Sequence, residues 1–185
     1  MDTIALAALV LSTTLSLLLT PDLHLADLIE PTVQATIAAP ITMTAILALR
    51  LSGARPIWER RLLTAFLLLM PTVYLLSLAL HGAATGWLQT ELAGQLFYGA
   101  LAIAGLLHSG WWLVLGIGAH GLGWDLWHYG RTSFIPDWYA VGCLVVDVGW
   151  ALYAASRVAV WDAVRGDDAA RARLGAARPH AVAMR

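Results

Sequence analysis

The sequence predicts an all-α integral membrane protein, a polytopic helical bundle of about six transmembrane helices with both termini in the cytoplasm. Of its 185 residues, 59% are hydrophobic and 12% are charged, whereas roughly 25% of the residues in an ordinary soluble domain are charged. The mean hydropathy is +0.71, and the apolar residues form runs long enough to cross a bilayer. Lipid is therefore the expected solvent for most of the surface.

Six apolar stretches have the roughly 17 to 25 residues that a membrane helix needs. They are residues 3–20, 32–49, 62–80, 87–106, 109–128 and 137–158. The segments between them, such as RLSGARPIWERR and YGRTSFIPD, contain Gly, Pro or charged residues that interrupt apolar helices. We therefore expect one transmembrane domain over residues 1–160. Residues 161–185, rich in Ala, Arg and Asp, are expected to form a flexible cytoplasmic tail.

The distribution of arginine predicts the orientation. All eleven basic residues are arginines; four lie between the second and third spans, and six lie at the end of the sixth span or after it. The loop after the first span contains Asp22, Asp27 and Glu30 and no basic residue. Because basic residues in short loops stay on the cytoplasmic side, both termini are expected there, in a bacterial inner (plasma) membrane.

Composition also excludes some classes of function. A formal net charge of -1 argues against a nucleic-acid partner, because such proteins need a basic surface. Cys143 is the only cysteine, so no internal disulfide is expected. The absence of lysine excludes a retinylidene Schiff base, which requires a lysine amine.

Several ionisable residues lie inside the apolar stretches. In GAHGLGWDLWHYG, residues 118–130, Asp125 and His128 are three residues apart and therefore share a helix face. Asp147 is ten residues into the sixth span, about 15 Å deep, and shares its face with Cys143. Such groups need a partner or a wet cavity in a bilayer. They are expected to form either a functional site or hydrogen bonds that fasten helices.

Two further histidines are candidates for this site. His120 lies about 12 Å below His128 on a regular helix, too far for both to bind one metal ion. The glycines around His120 either break the helix or allow a neighbouring helix to pack closely. His81 ends the third span, at the same predicted depth as His128.

Residues 123–153, GWDLWHYGRTSFIPDWYAVGCLVVDVGWALY, resemble a family of small bacterial integral-membrane proteins of unknown function. Its members share a histidine, then Trp-Asp-x-x-His, a proline-containing loop and Cys-x-x-x-Asp. The matching positions are Trp124, Asp125, His128, Pro136, Cys143 and Asp147, with His120 as the leading histidine, further from Trp-Asp than in the family. The resemblance covers the last two spans. It implies one common site and no particular activity.

The leading hypothesis is a metal-dependent membrane enzyme. Imidazole and carboxylate ligands with an open position for water suit zinc or non-haem iron. Asp125, His128 and Asp147 are the predicted ligands of this divalent metal. His120 and His81 are the predicted catalytic residues, as a general base or as a further ligand. A site in the outer half of the bilayer predicts a lipid-like or other apolar small molecule as substrate.

Three alternatives stay open. In a proton-coupled or metal-ion transporter, Asp147, His120 and Asp125 would form a relay of titratable groups that continues towards the cytoplasm. That pore could also lie between the subunits of a homo-oligomer. A b-type haem would use His81 and His128 as axial ligands. In a structural membrane subunit without catalysis, the same residues would only fasten helices.

Overall fold

The computed structural model describes residues 2–21, 28–82 and 86–182, with side chains described from residue 3 to residue 171 within those ranges. Every regular element in these ranges is helical. The helices are α1 (Asp2–Leu18), α2 (Pro31–Leu51), α3 (Ile57–His81), α4 (Trp87–Leu107), α5 (Trp111–Ala119), a π-helical segment (His120–Asp125), α6 (Leu126–His128) and α7 (Asp137–Val182). The predicted all-α class is confirmed. Asp22 and Asp27, used above for orientation, lie outside the described residues.

The helices overlap the six predicted apolar stretches, and Pro or Gly lies at several of their ends, whereas α7 continues beyond the predicted end at residue 158 to Val182. Pro31 opens α2, where its fixed φ suits the first helical turn. Gly82, with φ of +69°, ends α3 in a conformation that favours glycine. Residues 129–136 connect α6 to α7, and Phe134 and Ile135 of this connection are buried.

Four helices in the described part of the chain are long and apolar enough to cross a membrane: α2, α3, α4 and the 137–171 part of α7. The first predicted span is the shorter apolar helix Thr3–Leu18. The fifth is divided into α5, the π-helical segment and α6. Six spans and cytoplasmic termini stay a prediction. So does the flexible tail over 161–185, where Trp161 is helical and buried.

Helix α7 lies at the centre of the bundle. It packs against α1, α2, α3, α5, the π-helical segment and α6, while α4 joins α3 to α5 on the far side. Small residues allow α1 to approach α7 closely: a methyl group at Gly149 would overlap the Ser12 side chain and lie 3.0 Å from the carbonyl oxygen of Ala8. Close backbone approach of this kind is how helices associate in lipid.

Replacing Gly149 by Ala should therefore destabilise the protein. We expect a loss of about 1–3 kcal/mol in the free energy of unfolding, the usual cost of overpacking. Gly166→Ala, on the same helix, is the matched control, because a methyl group there meets nothing within 4 Å. It should be neutral or stabilise by up to about 1 kcal/mol through helix propensity. Denaturant unfolding in detergent micelles measures both, and equal effects would show that the α1–α7 contact is not tight.

A buried ionic cluster, formed by Glu59, Arg60, Arg157 and Asp162, fastens one end of the bundle. Arg157 Nε lies 2.9 Å from Glu59 Oε2, which also accepts hydrogen bonds from Tyr153 and Trp161. Arg60 donates to the carbonyl oxygen of Gly105 at 2.6 Å and to Asp162 Oδ1 at 3.1 Å. Asp162 in turn accepts a hydrogen bond from Ser109. The cluster thus connects α3, the α4–α5 junction and α7.

Candidate functional site

The π-helical segment His120–Asp125 positions two of the predicted site residues. On a regular α-helix, residues five apart point about 140° away from each other. A π-helix makes hydrogen bonds five residues apart, so its wider turn places His120 and Asp125 on the same side. Gly121 and Gly123 lie inside this segment. Glycine is the poorest helix former after proline, so this is where the regular helix gives way.

His120, Asp125 and Asp147 form a buried group, here called the His–Asp–Asp cluster. His120 Nδ1 lies 2.9 Å from Asp147 Oδ2 and 3.5 Å from Asp125 Oδ1. One potential ligand atom of each residue lies within 4.8 Å of the others. All three residues are at most 1% exposed. The cluster therefore joins the π-helical segment to α7 in the interior of the bundle.

Gly121 allows α7 to come this close. A methyl group at Gly121 would lie 2.6 Å from the Cβ of Asp147, a distance that real side chains do not adopt. Both roles predicted for the glycines around His120, breaking the helix and allowing close helix packing, are therefore found together. It breaks the regular helix, and it provides a smooth surface on which Asp147 packs beside His120.

Two tyrosines border the cluster. The Tyr74 hydroxyl of α3 donates a short hydrogen bond to Asp125 Oδ1, and Tyr98 of α4 donates to the carbonyl oxygen of Ala119 at 3.1 Å. The two rings contact the His120 ring edge-on, with centroid distances of 5.8 and 5.0 Å. Both rings fix the orientation of the imidazole.

Each member of the cluster keeps one buried polar atom without a hydrogen-bond partner among the described residues. These atoms are His120 Nε2, Asp125 Oδ2 and Asp147 Oδ1. Buried polar atoms in native proteins almost always have a partner, and leaving one unpaired costs about 1–3 kcal/mol. Together the three residues form a group of ligand atoms that could hold a metal ion.

His128 belongs to a different pair. Its Nε2 lies 2.7 Å from Glu91 Oε1, and its Nδ1 lies 2.8 Å from the carbonyl oxygen of Trp124. Tyr74, Trp87, Trp124 and Trp127 surround the ring at centroid distances of 4.5 to 5.6 Å. Both imidazole nitrogens are thus engaged by the protein itself.

His81 lies apart from the His–Asp–Asp cluster. Its side chain is 43% exposed at the end of α3, and Nε2 lies 2.8 Å from Glu30 Oε2. The structure therefore brings together His120, Asp125 and Asp147, while His81 and His128 each pair with a glutamate.

Comparison of the chain with protein-family models, with curated proteins and with solved structures finds no match. The site must therefore be interpreted from its own chemistry.

A cavity of about 370 Å³ lies beside the cluster. It lies between α2, α3 and α7, and Asp147 forms part of its wall. The remaining wall is mainly apolar, including Phe66, Met70, Val73 and Val146. Ligand sites in proteins have this character, a mostly apolar cavity with a few polar groups.

The structure adds residues that sequence reasoning did not select. Tyr74 is a single tyrosine in an apolar run, and nothing in its spacing indicates a contact with Asp125. Glu91 lies one turn into α4 and is fully buried against His128. Glu59 belongs to RLSGARPIWERR, the segment predicted to separate the second and third spans, and it is buried in the first turn of α3. An acidic residue inside a basic loop is the signal that could have identified it.

Proposed function

We propose that this chain is a metal-dependent membrane enzyme that acts on a lipid-like or other apolar small molecule. The observation behind this proposal is the His–Asp–Asp cluster, whose three members are buried and close together and each retain an unpaired polar atom. Asp147 of this cluster borders an apolar cavity. A polar group that lines an apolar, lipid-facing cavity is what such an enzyme requires.

The donor set fits a divalent metal ion. One imidazole and two carboxylates suit zinc or non-haem iron, and three protein ligands leave a position for water or substrate. Bound there, the metal would supply a Lewis acid that activates water or polarises a substrate oxygen. We assign the histidine ligand to His120 rather than to the predicted His128, because both ring nitrogens of His128 already contact Glu91 and Trp124.

Other side chains would position the ligands. The hydrogen bond from Tyr74 fixes one oxygen of Asp125, which leaves the second oxygen for the metal. Such outer contacts orient ligands and tune metal affinity. The apolar wall beside Asp147 would exclude bulk water from the site, which strengthens its electrostatic interactions.

Transport receives less support. A relay would need polar groups between the His–Asp–Asp cluster and the ionic cluster. The buried side chains described at that level are mostly apolar, such as Leu63, Leu67 and Ile117, and the buried threonines there, Thr13 and Thr64, are not titratable. The resemblance of residues 123–153 to a bacterial membrane family is compatible with an enzyme of the inner membrane, and it favours no particular substrate.

Elemental analysis of the detergent-purified protein tests the metal site. After chelation and reloading with zinc or iron(II), the wild type should retain near-stoichiometric metal through gel filtration. Asp125→Asn and Asp147→Asn should lose it, because each removes a carboxylate ligand while preserving side-chain shape. Asp137→Asn is the matched control, since Asp137 is exposed and accepts a hydrogen bond from Gly130. A wild type that binds no metal would contradict the proposal and leave helix fastening as the better account.

A further inference from the structure

The cavity beside Asp147 has the shape of a narrow groove that follows the helices. On α3 its wall runs from residue 62 to residue 76, a length of about 21 Å at 1.5 Å per residue. Its volume of about 370 Å³ spread over that length gives an average width of roughly 5 Å, and non-bonded carbon atoms pack about 4 Å apart. The groove therefore has room for one extended hydrocarbon chain.

Small residues make the groove accessible from the side. Ala38 of α2 and Ala65 of α3 both line it, and both are exposed on the surface of the bundle. Ala35, Ala39 and Gly142 continue the smooth wall. In a bilayer these alanines would face lipid, so that a hydrocarbon chain could enter between α2 and α3 without leaving the membrane.

Three threonines that line the groove, Thr36, Thr42 and Thr72, donate their hydroxyls to carbonyl oxygens of their own helices. Gln34 and Trp138 line the end where α2 and α7 begin. Trp is typical of the membrane–water interface, and the exposed Gln34 offers a polar side chain there. Asp147 lies nine residues further along α7, about 14 Å from the level of Trp138. On α3, the groove lining extends to Leu62, closer to the opposite end of the bundle.

We propose that the groove binds a single hydrocarbon chain of a lipid whose polar head lies near Gln34 and Trp138, and that the interior of this chain meets Asp147. The inference rests on the proposed function, because the lipid that contains this hydrocarbon chain would be the substrate. It defines the substrate class as a single-chain lipid, or one chain of a larger lipid. It also places the reacting group along the chain rather than at the head.

Photocrosslinking tests this arrangement directly. The protein is reconstituted in phosphatidylcholine vesicles with stearic acid probes that carry a diazirine near the carboxyl group, at mid-chain or near the methyl end. After illumination, labelled peptides are identified by mass spectrometry. We expect the mid-chain probe to label the part of α7 that contains Cys143 and Asp147. The carboxyl-end probe should label the region of Gln34 and Trp138, and the methyl-end probe that of Leu62 and Phe66.

Matched double variants show whether the label arises in the groove. Ala38→Trp/Ala65→Trp narrows the groove from both walls and should reduce mid-chain labelling of α7 about tenfold, equivalent to 1.4 kcal/mol in binding. Ala48→Trp/Ala79→Trp adds the same bulk to exposed positions of the same two helices that do not line the groove. In this control, labelling of α7 by the mid-chain probe should equal that in the wild type.

Two results would overturn the inference. If the carboxyl-end probe labels Asp147, the head rather than the chain interior lies at the cluster. If the groove variant labels as strongly as its control, the chain does not occupy the groove. Labelling requires no metal, and the metal content of the same samples is measured in parallel. Correct labelling without metal would support the chain site and refute the metal-dependent function.

Discussion

Replacement of Glu59 by Gln is expected to lower the free energy of unfolding by about 3–5 kcal/mol, the usual cost of removing one partner from a buried ion pair. The substitution preserves the size of the side chain and an oxygen that can still accept hydrogen bonds from Tyr153 and Trp161. It removes the negative charge beside the buried Arg157 and replaces one of the two oxygens that accept hydrogen bonds from Arg157 by an amide that donates. The expected loss of stability therefore measures the cost of removing the negative charge of Glu59 from beside the buried Arg157 guanidinium.

Arg55→Ala is the control for this prediction. Arg55 contacts Asp168 at 2.7 Å, but the two side chains are 59% and 44% exposed. Exposed ion pairs contribute about 0–1 kcal/mol, so this variant should unfold close to the wild type. Denaturant titration followed by tryptophan fluorescence measures both variants. A Glu59→Gln protein as stable as Arg55→Ala would mean that water or lipid headgroups reach the ionic cluster.

The second large effect concerns the two histidines of the 111–128 segment. We expect His120→Ala to reduce metal affinity more than about 100-fold, beyond the roughly 10–100-fold that is typical of changes outside the ligand shell. The reason is that His120 would provide the nitrogen ligand of the His–Asp–Asp cluster. Competition with a chromogenic chelator gives the dissociation constant for zinc.

The matched control removes the other histidine. His128→Ala alone would leave Glu91 buried without its partner, so Glu91→Leu/His128→Leu is preferable, because replacing both members of a buried pair by apolar residues is often close to neutral. This double variant should bind zinc within a fewfold of the wild type. Equal loss of affinity in both proteins would show that His128 is a ligand, as the sequence pattern first suggested.

The helices and their approximate ends follow from the sequence because lipid imposes a simple requirement. A spanning segment must satisfy its backbone hydrogen bonds internally, so apolar runs between Gly and Pro become helices. The proximity of Asp125 to the α7 face that contains Asp147 could also be anticipated from helical periodicity. Whether α1 and the divided fifth segment cross the membrane is not decided by these rules, since α1 has only 17 residues.

The partners of the polar residues could not be predicted in the same way. The sequence places His128 on the same helix face as Asp125, but its actual partner, Glu91, lies on α4 and depends on how α4 packs. Likewise, the contact of Tyr74 with Asp125 arises only when α3 packs beside the π-helical segment. Hydropathy records the preference of each residue for lipid, and it contains no information about which buried polar groups meet.

The π-helical segment has a consequence for how this site tolerates changes in chain length. The pairing of His120 with Asp125 depends on one wide turn, which is equivalent to one extra residue in an otherwise regular helix. A single-residue deletion between them would make the two residues four apart, a spacing that a regular α-helix also places on one face, whereas the present spacing of five would point them about 140° apart on a regular helix. The apolar profile of the segment would hardly change. Among related sequences, a spacing of four residues should therefore accompany a regular helix and a spacing of five a π-helical turn, and both would keep the His–Asp pair on one side.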